Sequence, residues 1–337
     1  SRSERREQAG GRGRIRPSLR PVPSPPKAKA APGVSGGDVA RCMFSAMKRA
    51  GVGLAVFLLA SGAGLALDRA DEPFPPKGRY NNSTHRYFPD LDARLNAVRY
   101  GRWRALEIAW TSGIDRGLDS QFSSYLLGLL ASPPRFAPEA DRVAPRFARE
   151  ASPIFRALRW GQVLEQQLID VLASPDASPS LSSLRLTRSL DLYRRERWAL
   201  VEPPAAVSGE AVVSAAPVSS RILSAGTRLF ASAAEDLAAS DFGQQRWKVR
   251  TTVAEFDRSY AAERPPQDFT YRSSAPTILQ RYPGYAEHLD RLARFRLEVF
   301  QALVSGGETP AACRERDARI ADVARRYGIV PTGIHGQ

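Results

Sequence analysis

The sequence predicts an all-α protein, a bundle of about seven to nine helices in two packed halves, and three observations predict it. Apolar residues recur at helical spacing through most of the chain after Asp90. Residues that start and stop helices punctuate those stretches. No run of alternating β-branched residues is long enough to seed a sheet.

Ahead of the helices lies a segment of another kind. Residues 1–46 carry ten Lys or Arg against three acids, with many Pro, Gly and Ser. Such a composition buries no core and reads as disordered, upstream of the true start. The chain's two methionines, Met43 and Met47, stand just before the basic pair Lys48-Arg49 and an apolar run from Val52 to Leu67. A positive stretch, an apolar stretch and the small residues Gly64 and Ala66 make a secretory signal peptide over 47–66, starting at Met43 or Met47, with cleavage near Ala66. The alternative is an uncleaved anchor, because the run from Gly51 to Leu67 falls at the short end of the roughly 17–25 residues that span a bilayer. Export to the periplasm or beyond is the expectation.

The elements follow in order. Residues 67–85 read as an extended N-terminal segment and 86–202 as the first helical half. Its first helix begins at Asp90 and runs to about Trp110, with Leu91, Leu95, Val98, Ala105, Leu106 and Ala109 on one stripe. A second helix covers about 118–131. Ser152 followed by Pro153 reads as a cap and first-turn proline, and Ser174-Pro175 closes that helix near Ala173. A further helix is predicted over 183–200. Pro203-Pro204 opens a linker to 217, and the second half, 218–337, holds helices over 219–239, 242–261 and 285–305. Thr309-Pro310 starts the last one, which Tyr327-Gly328 ends. The proline-marked stretches 132–145 and 263–283 read as loops.

Composition excludes some functions. The formal net charge is +14, but about half of it lies in residues 1–46. Beyond the apolar run the cations are arginines except Lys77 and Lys248. No basic patch interleaved with aromatics is present, so nucleic acid is excluded as a partner. Contact with anionic lipid or an envelope polymer is peripheral at most. Cys42 precedes both starts and leaves Cys313 as the one thiol of an exported chain, so no internal disulfide is expected. No haem-attachment or zinc pattern appears, and no cofactor is expected.

Charges placed inside apolar stripes are the unusual feature. At 100° per residue Glu165 falls among Ile154, Leu158, Gly161, Leu168, Ile169 and Leu172, with Gly161 leaving room beside it. Arg102, Arg197 and Arg296 occupy equivalent places on their own helices. A buried unpaired charge costs several kcal/mol, so these groups must meet one another or a ligand. One reading is a buried ion-pair network with Glu165 bridging the arginines. The other is an Arg-rich cavity for an anionic small molecule, since guanidinium meets carboxylate or phosphate with two hydrogen bonds.

Two further constellations invite chemistry. Tyr100, Trp103, Glu107 and Trp110 share the other side of the first helix at spacings of three, four and three. A carboxylate walled by aromatics can act as a general acid, as in glycan-cleaving enzymes, whereas the plainer reading is a second packing face with Glu107 at its wet edge. His288 is a weak metal candidate: Asp290 lies at the wrong spacing, and an edge histidine is the plainer reading. The expected function is an exported helical binding or scaffold protein of the bacterial envelope, its partner an envelope protein or an anionic small molecule. The alternative is a glycan-active hydrolase or lyase using Glu107 or Glu165.

Overall fold

The computed structural model describes residues 82–112, 116–176, 178–201, 217–261, 271–304 and 310–330. The upstream segment, the signal peptide with both starts, most of the 67–85 segment and the linker up to residue 216 lie outside the described residues. Among the described residues every regular element is a helix. In chain order they are α1 (Asn82–Tyr87), α2 (Pro89–Ser112), α3 (Arg116–Ala131), α4 (Ala140–Val143), α5 (Pro145–Glu150), α6 (Ser152–Leu172) and α7 (Pro179–Arg195). They continue as α8 (Pro217–Ala239), α9 (Phe242–Ala261), α10 (Tyr271–Ser274), α11 (Pro276–Arg281), α12 (Pro283–Val304) and α13 (Pro310–Arg326). This total exceeds the seven to nine expected, and the excess consists of helices of four or six residues. No described helix is long and apolar enough to cross a membrane.

Proline explains most of the differences in boundary. Seven helices, α2, α5, α7, α8, α11, α12 and α13, begin with it. At the first helical position the missing N–H costs nothing and φ is already set. Stretches read as proline-broken loops therefore contain the short helices α4, α10 and α11, and the first of them ends at Pro145, where α5 begins. The helix expected over 183–200 starts earlier, where Ser178 Oγ accepts the Leu181 N–H at 3.2 Å, and it ends at Arg195. Ser152 is not the cap of α6: α5 runs almost directly into it, and Ala151 takes that place with no side-chain hydrogen bond. The last helix ends as expected. Gly328 adopts φ 75°, and the N–H groups of Ile329 and Gly328 return to the carbonyls of Ala324 (2.9 Å) and Arg325 (3.0 Å), a Schellman closure.

The interior is one continuous apolar core. Helix α8 runs through it and touches α2, α3, α6, α9, α10, α11 and α12. Its buried face is mostly small, with Ala231, Ala233 and Ala234 beside Ile222, Leu229 and Phe230. At Gly226 a Cβ would come within 2.3 Å of Val98 on α2, so the bare backbone is what permits that approach.

The short helices are seated by acids of the long ones. Asp170 of α6 accepts the Thr84 N–H in α1 at 2.9 Å. Glu107 of α2 accepts the N–H groups of Arg146 (3.2 Å) and Phe147 (2.9 Å) in α5. Asp290 of α12 accepts that of Tyr271, the first residue of α10, and Glu235 of α8 accepts that of Thr277 in α11 at 2.8 Å. A helix start exposes N–H donors that no turn of the helix satisfies, and a carboxylate is the natural acceptor for them.

Candidate functional site

Five helices converge on Glu165, which is 1% exposed. Arg102 of α2 donates from Nη1 to Oε2 at 3.3 Å. Arg296 of α12 donates to both oxygens, Nη1 to Oε1 at 3.3 Å and Nη2 to Oε2 at 3.2 Å. The Tyr271 hydroxyl of α10 donates to Oε1 at 3.2 Å. Helix α8 completes the shell, because Arg102 Nη2 also donates to the Leu223 carbonyl (3.2 Å) and to Thr227 Oγ1 (2.8 Å). Phe230, on the same helix, lies under the guanidiniums of Arg99 and Arg102 at 5.3 and 5.4 Å. Glu165, Arg102 and Arg296 thus come together as the stripe argument requires.

Arg197 does not join them. It follows the end of α7, is exposed and stacks on Trp198 at 4.5 Å. The expected helix ran on to residue 200, and the chain's turn after Arg195 removes Arg197 from the stripe. A third buried cation of this cluster is Arg99, which sequence reasoning passed over. It is 4% exposed and donates from Nη1 to Asn96 Oδ1 at 2.8 Å. The signal was present in the spacing, since Asp92, Asn96, Arg99 and Arg102 recur every three or four residues along α2 and form a polar seam. His85 Nδ1 lies 2.9 Å from Asp92 Oδ2 where this seam reaches the surface.

The electrostatics are those of a desolvated but balanced group. Burial pulls the Arg99 guanidinium down to about 10, against Asp92, Glu165 and Asp170, which favour its charge. Burial and then the like charge of Arg296 pull Arg102 down to about 9, against Glu165. Both stay protonated at neutral pH. Burial pushes the Glu165 carboxyl up, but Arg296 and Arg102 together outweigh it and hold the group below its ordinary value. Burial, reinforced by Glu165, keeps the Tyr271 phenol protonated. Asp170, 2% exposed, is raised to about 6, chiefly by burial, with its hydrogen bonds to Thr84 opposing. Its Oδ2 has no partner.

The room expected beside Glu165 is filled. A Cβ at Gly161 would stand 2.3 Å from a methyl of Leu292, so that glycine admits the leucine. Arg102 Nε, which has no hydrogen-bond partner, lies 3.1 Å from where a Gly226 Cβ would be, closed off by the approach of α8.

The aromatic constellation on α2 is a packing face. Trp103 and Trp110 are buried, at 2% and 6% exposure, while Tyr100 is half-buried. Trp103 packs on Phe155 at 4.9 Å and Trp110 on Phe147 at 5.8 Å. Their indole N–H groups donate to Gln162 Oε1 and Glu150 Oε2, both at 2.8 Å. Glu107 is not at a wet edge. It is 5% exposed, with both oxygens on the backbone of α5.

His288 is also interior, at 6% exposure. Arg194 Nε approaches its Nε2 at 3.0 Å and Arg291 Nη1 its Nδ1 at 2.8 Å. A neutral imidazole accepts at one nitrogen only, so one of the two guanidiniums holds the acceptor and the other meets the N–H side. Among the described residues no group of three His, Cys, Asp or Glu is placed to hold a metal ion. The chain matches no known protein family, and no curated protein or solved structure is similar to it.

Proposed function

We propose that this chain is a helical binding or scaffold protein exported to the bacterial envelope, and that it works through its outer surface while the Glu165 cluster locks the bundle. One observation carries the reading: the acids and the imidazole that the sequence offers for chemistry are already engaged. Both oxygens of Glu107 hold backbone N–H groups, those of Glu165 hold two arginines and a tyrosine, and both nitrogens of His288 face arginines. An acid catalyst must present its proton to a substrate within hydrogen-bond reach. The glycan-cleaving alternative would require α5 or the five-helix junction around Glu165 to open first. An internal anion receptor is disfavoured on the same ground, because Leu292 fills the space at Gly161 and the approach of α8 at Gly226 closes off Arg102, and Asp92 and Asp170 help balance the charge of Arg99. Recognition then falls to features such as Trp247 on α9, 70% exposed and flanked by the exposed Arg246 and Arg250. Aromatic and arginine side chains together are the usual anchors of interfaces. Export rests on the basic pair and apolar run ahead of the body.

The test joins export to catalysis. The full chain is expressed in a bacterial host, the mass of the exported form is measured, and isolated envelope glycan is incubated with wild type and with Glu107→Gln. An exported species beginning near Asp68, without glycan turnover, is expected. Glycan cleavage that a folded Glu107→Gln variant loses would overturn the binding reading, and a protein retained in the cytoplasm would overturn the envelope assignment.

A further inference from the structure

Helix α9 packs along one side and leaves the other to solvent. Gln245, Val249, Val253, Phe256 and Tyr260 are buried, at the three- and four-residue spacing of a helix with a single inner face. The outer side carries Arg246, Trp247, Arg250, Ala254 and Arg258, all exposed. Trp247 is 70% exposed, whereas Trp103, Trp110 and Trp160 are buried and Trp198 is half-buried.

The cations around this indole lack acids. On other helices exposed arginines pair with a carboxylate one turn away, Arg142 with Glu139 at 2.7 Å, Arg146 with Glu150 at 3.7 Å and Arg325 with Asp322 at 3.5 Å. On α9 Arg246 lies instead over the Phe242 ring at 6.0 Å, and Arg258 turns its Nε to the Ala254 carbonyl of its own helix at 3.3 Å. Arg86 of α1 adds a further cation, because it lies over Tyr87 at 5.3 Å and Tyr87 meets Phe242 edge-on at 5.6 Å. The neighbouring acids are engaged elsewhere. Asp257 is held by Arg94 through two bonds of 2.8 Å, and Asp241 caps the start of α9 by accepting the Gln244 N–H at 3.0 Å. Glu255 is the one other acid of this helix.

Surplus positive charge around a lone indole is complementary to an anionic surface. A stable protein partner covers about 800 Å² around a cluster of buried anchors, and Trp247 is the only large apolar side chain exposed on α9. A bilayer surface needs no such cluster. Tryptophan settles at the level of the headgroups, and guanidinium meets phosphate with paired hydrogen bonds. No described helix is apolar enough to go deeper.

We propose that the outer face of α9 docks on a bilayer surface rich in anionic phospholipid, with Trp247 among the headgroups and Arg246, Arg250 and Arg258 on the phosphates. The inference rests on the surface recognition proposed above and names its partner; export is read by mass and docking with purified protein, so either can fail without the other. Fluorescence of the full chain tests it, with vesicles of phosphatidylcholine alone or with phosphatidylglycerol added, their acyl chains brominated near the headgroup. Residues 1–46 are themselves basic, so bulk binding does not locate the contact. The signal is therefore that of the Trp247 ring, taken as the difference between wild type and Trp247→Phe. Quenching of this difference is expected with phosphatidylglycerol only, and added salt should weaken it. Arg246→Gln combined with Arg250→Gln changes solvated side chains, so it should keep the melting temperature and cut the quenching at least about threefold, since each cation near an anionic surface strengthens the attraction. A Trp247 signal that neither vesicle quenches, or that phosphatidylcholine alone quenches equally, overturns the proposal. So does a double variant quenched as strongly as wild type. Saturable binding of soluble polyglutamate that the double variant loses, with Trp247 unquenched by vesicles, would assign the face to an acidic protein instead.

Discussion

Glu165 and Glu107 are buried to a similar depth, 1% and 5% exposed, yet the molecule neutralises them by different means. Glu165 sits among guanidiniums from α2 and α12, contributed by residues 63 and 131 positions away in the chain. Glu107 faces neutral backbone donors at the start of a six-residue helix about 40 positions on. The first device holds charges against one another, so loss of one member strands the others. The second holds a charge against dipoles, and its loss strands only N–H groups. Similar burial therefore implies unequal costs.

The sharpest way to break this contrast is Glu165→Leu. The variant leaves Arg99, Arg102 and Arg296 buried around an apolar side chain. A buried cation without its counter-ion costs about 3–5 kcal/mol. Urea unfolding should show a destabilisation of that order, and Glu165→Leu combined with Arg296→Leu should recover part of it, because two buried cations then remain instead of three. A single variant as stable as wild type would mean that solvent reaches the arginines, and the distinction between the two glutamates would collapse.

Asp170 tests the dipole side of the comparison with pH as the variable. It seats α1 as Glu107 seats α5, but its carboxyl is raised to about 6 from an ordinary value of 3.8. A group raised on folding stabilises fully below its unfolded value, and that contribution is lost as pH rises through the folded one. Wild type should therefore lose stability relative to Asp170→Asn between about pH 4 and pH 7. Asparagine keeps an acceptor for the Thr84 N–H and Oγ and carries no charge to desolvate. The difference between the two unfolding free energies should move by roughly 2 kcal/mol in favour of the variant across that window. A difference that stays flat with pH would show that Asp170 ionises freely in the fold.

Glu107→Gln should be milder. One oxygen can still accept an N–H from α5, while the new amide nitrogen meets a donor. The loss expected is about 1 kcal/mol, the usual worth of a helix-capping acceptor. A loss as large as that of Glu165→Leu would remove the difference between pairing with side chains and pairing with backbone.

The same contrast explains how far the sequence was legible. The helical class and the long helices follow from apolar spacing, which reports the burial of a stripe whatever covers it. The meeting of Glu165 with Arg102 and Arg296 follows too, because a charge inside such a stripe must find its opposite. The backbone partners of Glu107, Asp170, Asp290 and Glu235 were hidden. They belong to helices of four to six residues, too short for any period to show, and two of these, α5 and α11, are started by prolines that read as breaks. An acid in an apolar stripe looks alike whether it awaits an arginine, a substrate or the first turn of a short helix. Arg99 was missed for a different reason: it lies beside the stripe centred on Leu95 and Val98, and the seam containing it mixes Asp, Asn and Arg, which no hydrophobic pattern reveals.

Arg197 gives the smallest effect and the most direct check on how the cluster is drawn. Had α7 continued to residue 200, this side chain would have pointed inward with Leu186, Leu190 and Tyr193, and replacing it would have disturbed a buried network. Instead α7 stops at Arg195, the Tyr193 hydroxyl accepts the Leu200 N–H at 3.1 Å, and Arg197 lies in solvent against the Trp198 ring. An exposed stacking contact of this kind contributes about 0.5 kcal/mol. Arg197→Ala should therefore shift the unfolding midpoint barely at all, and its effect should add to that of Arg102→Met, since independent sites are additive. Coupling between the two substitutions in a double-mutant cycle would put Arg197 back among the cations that Glu165 holds.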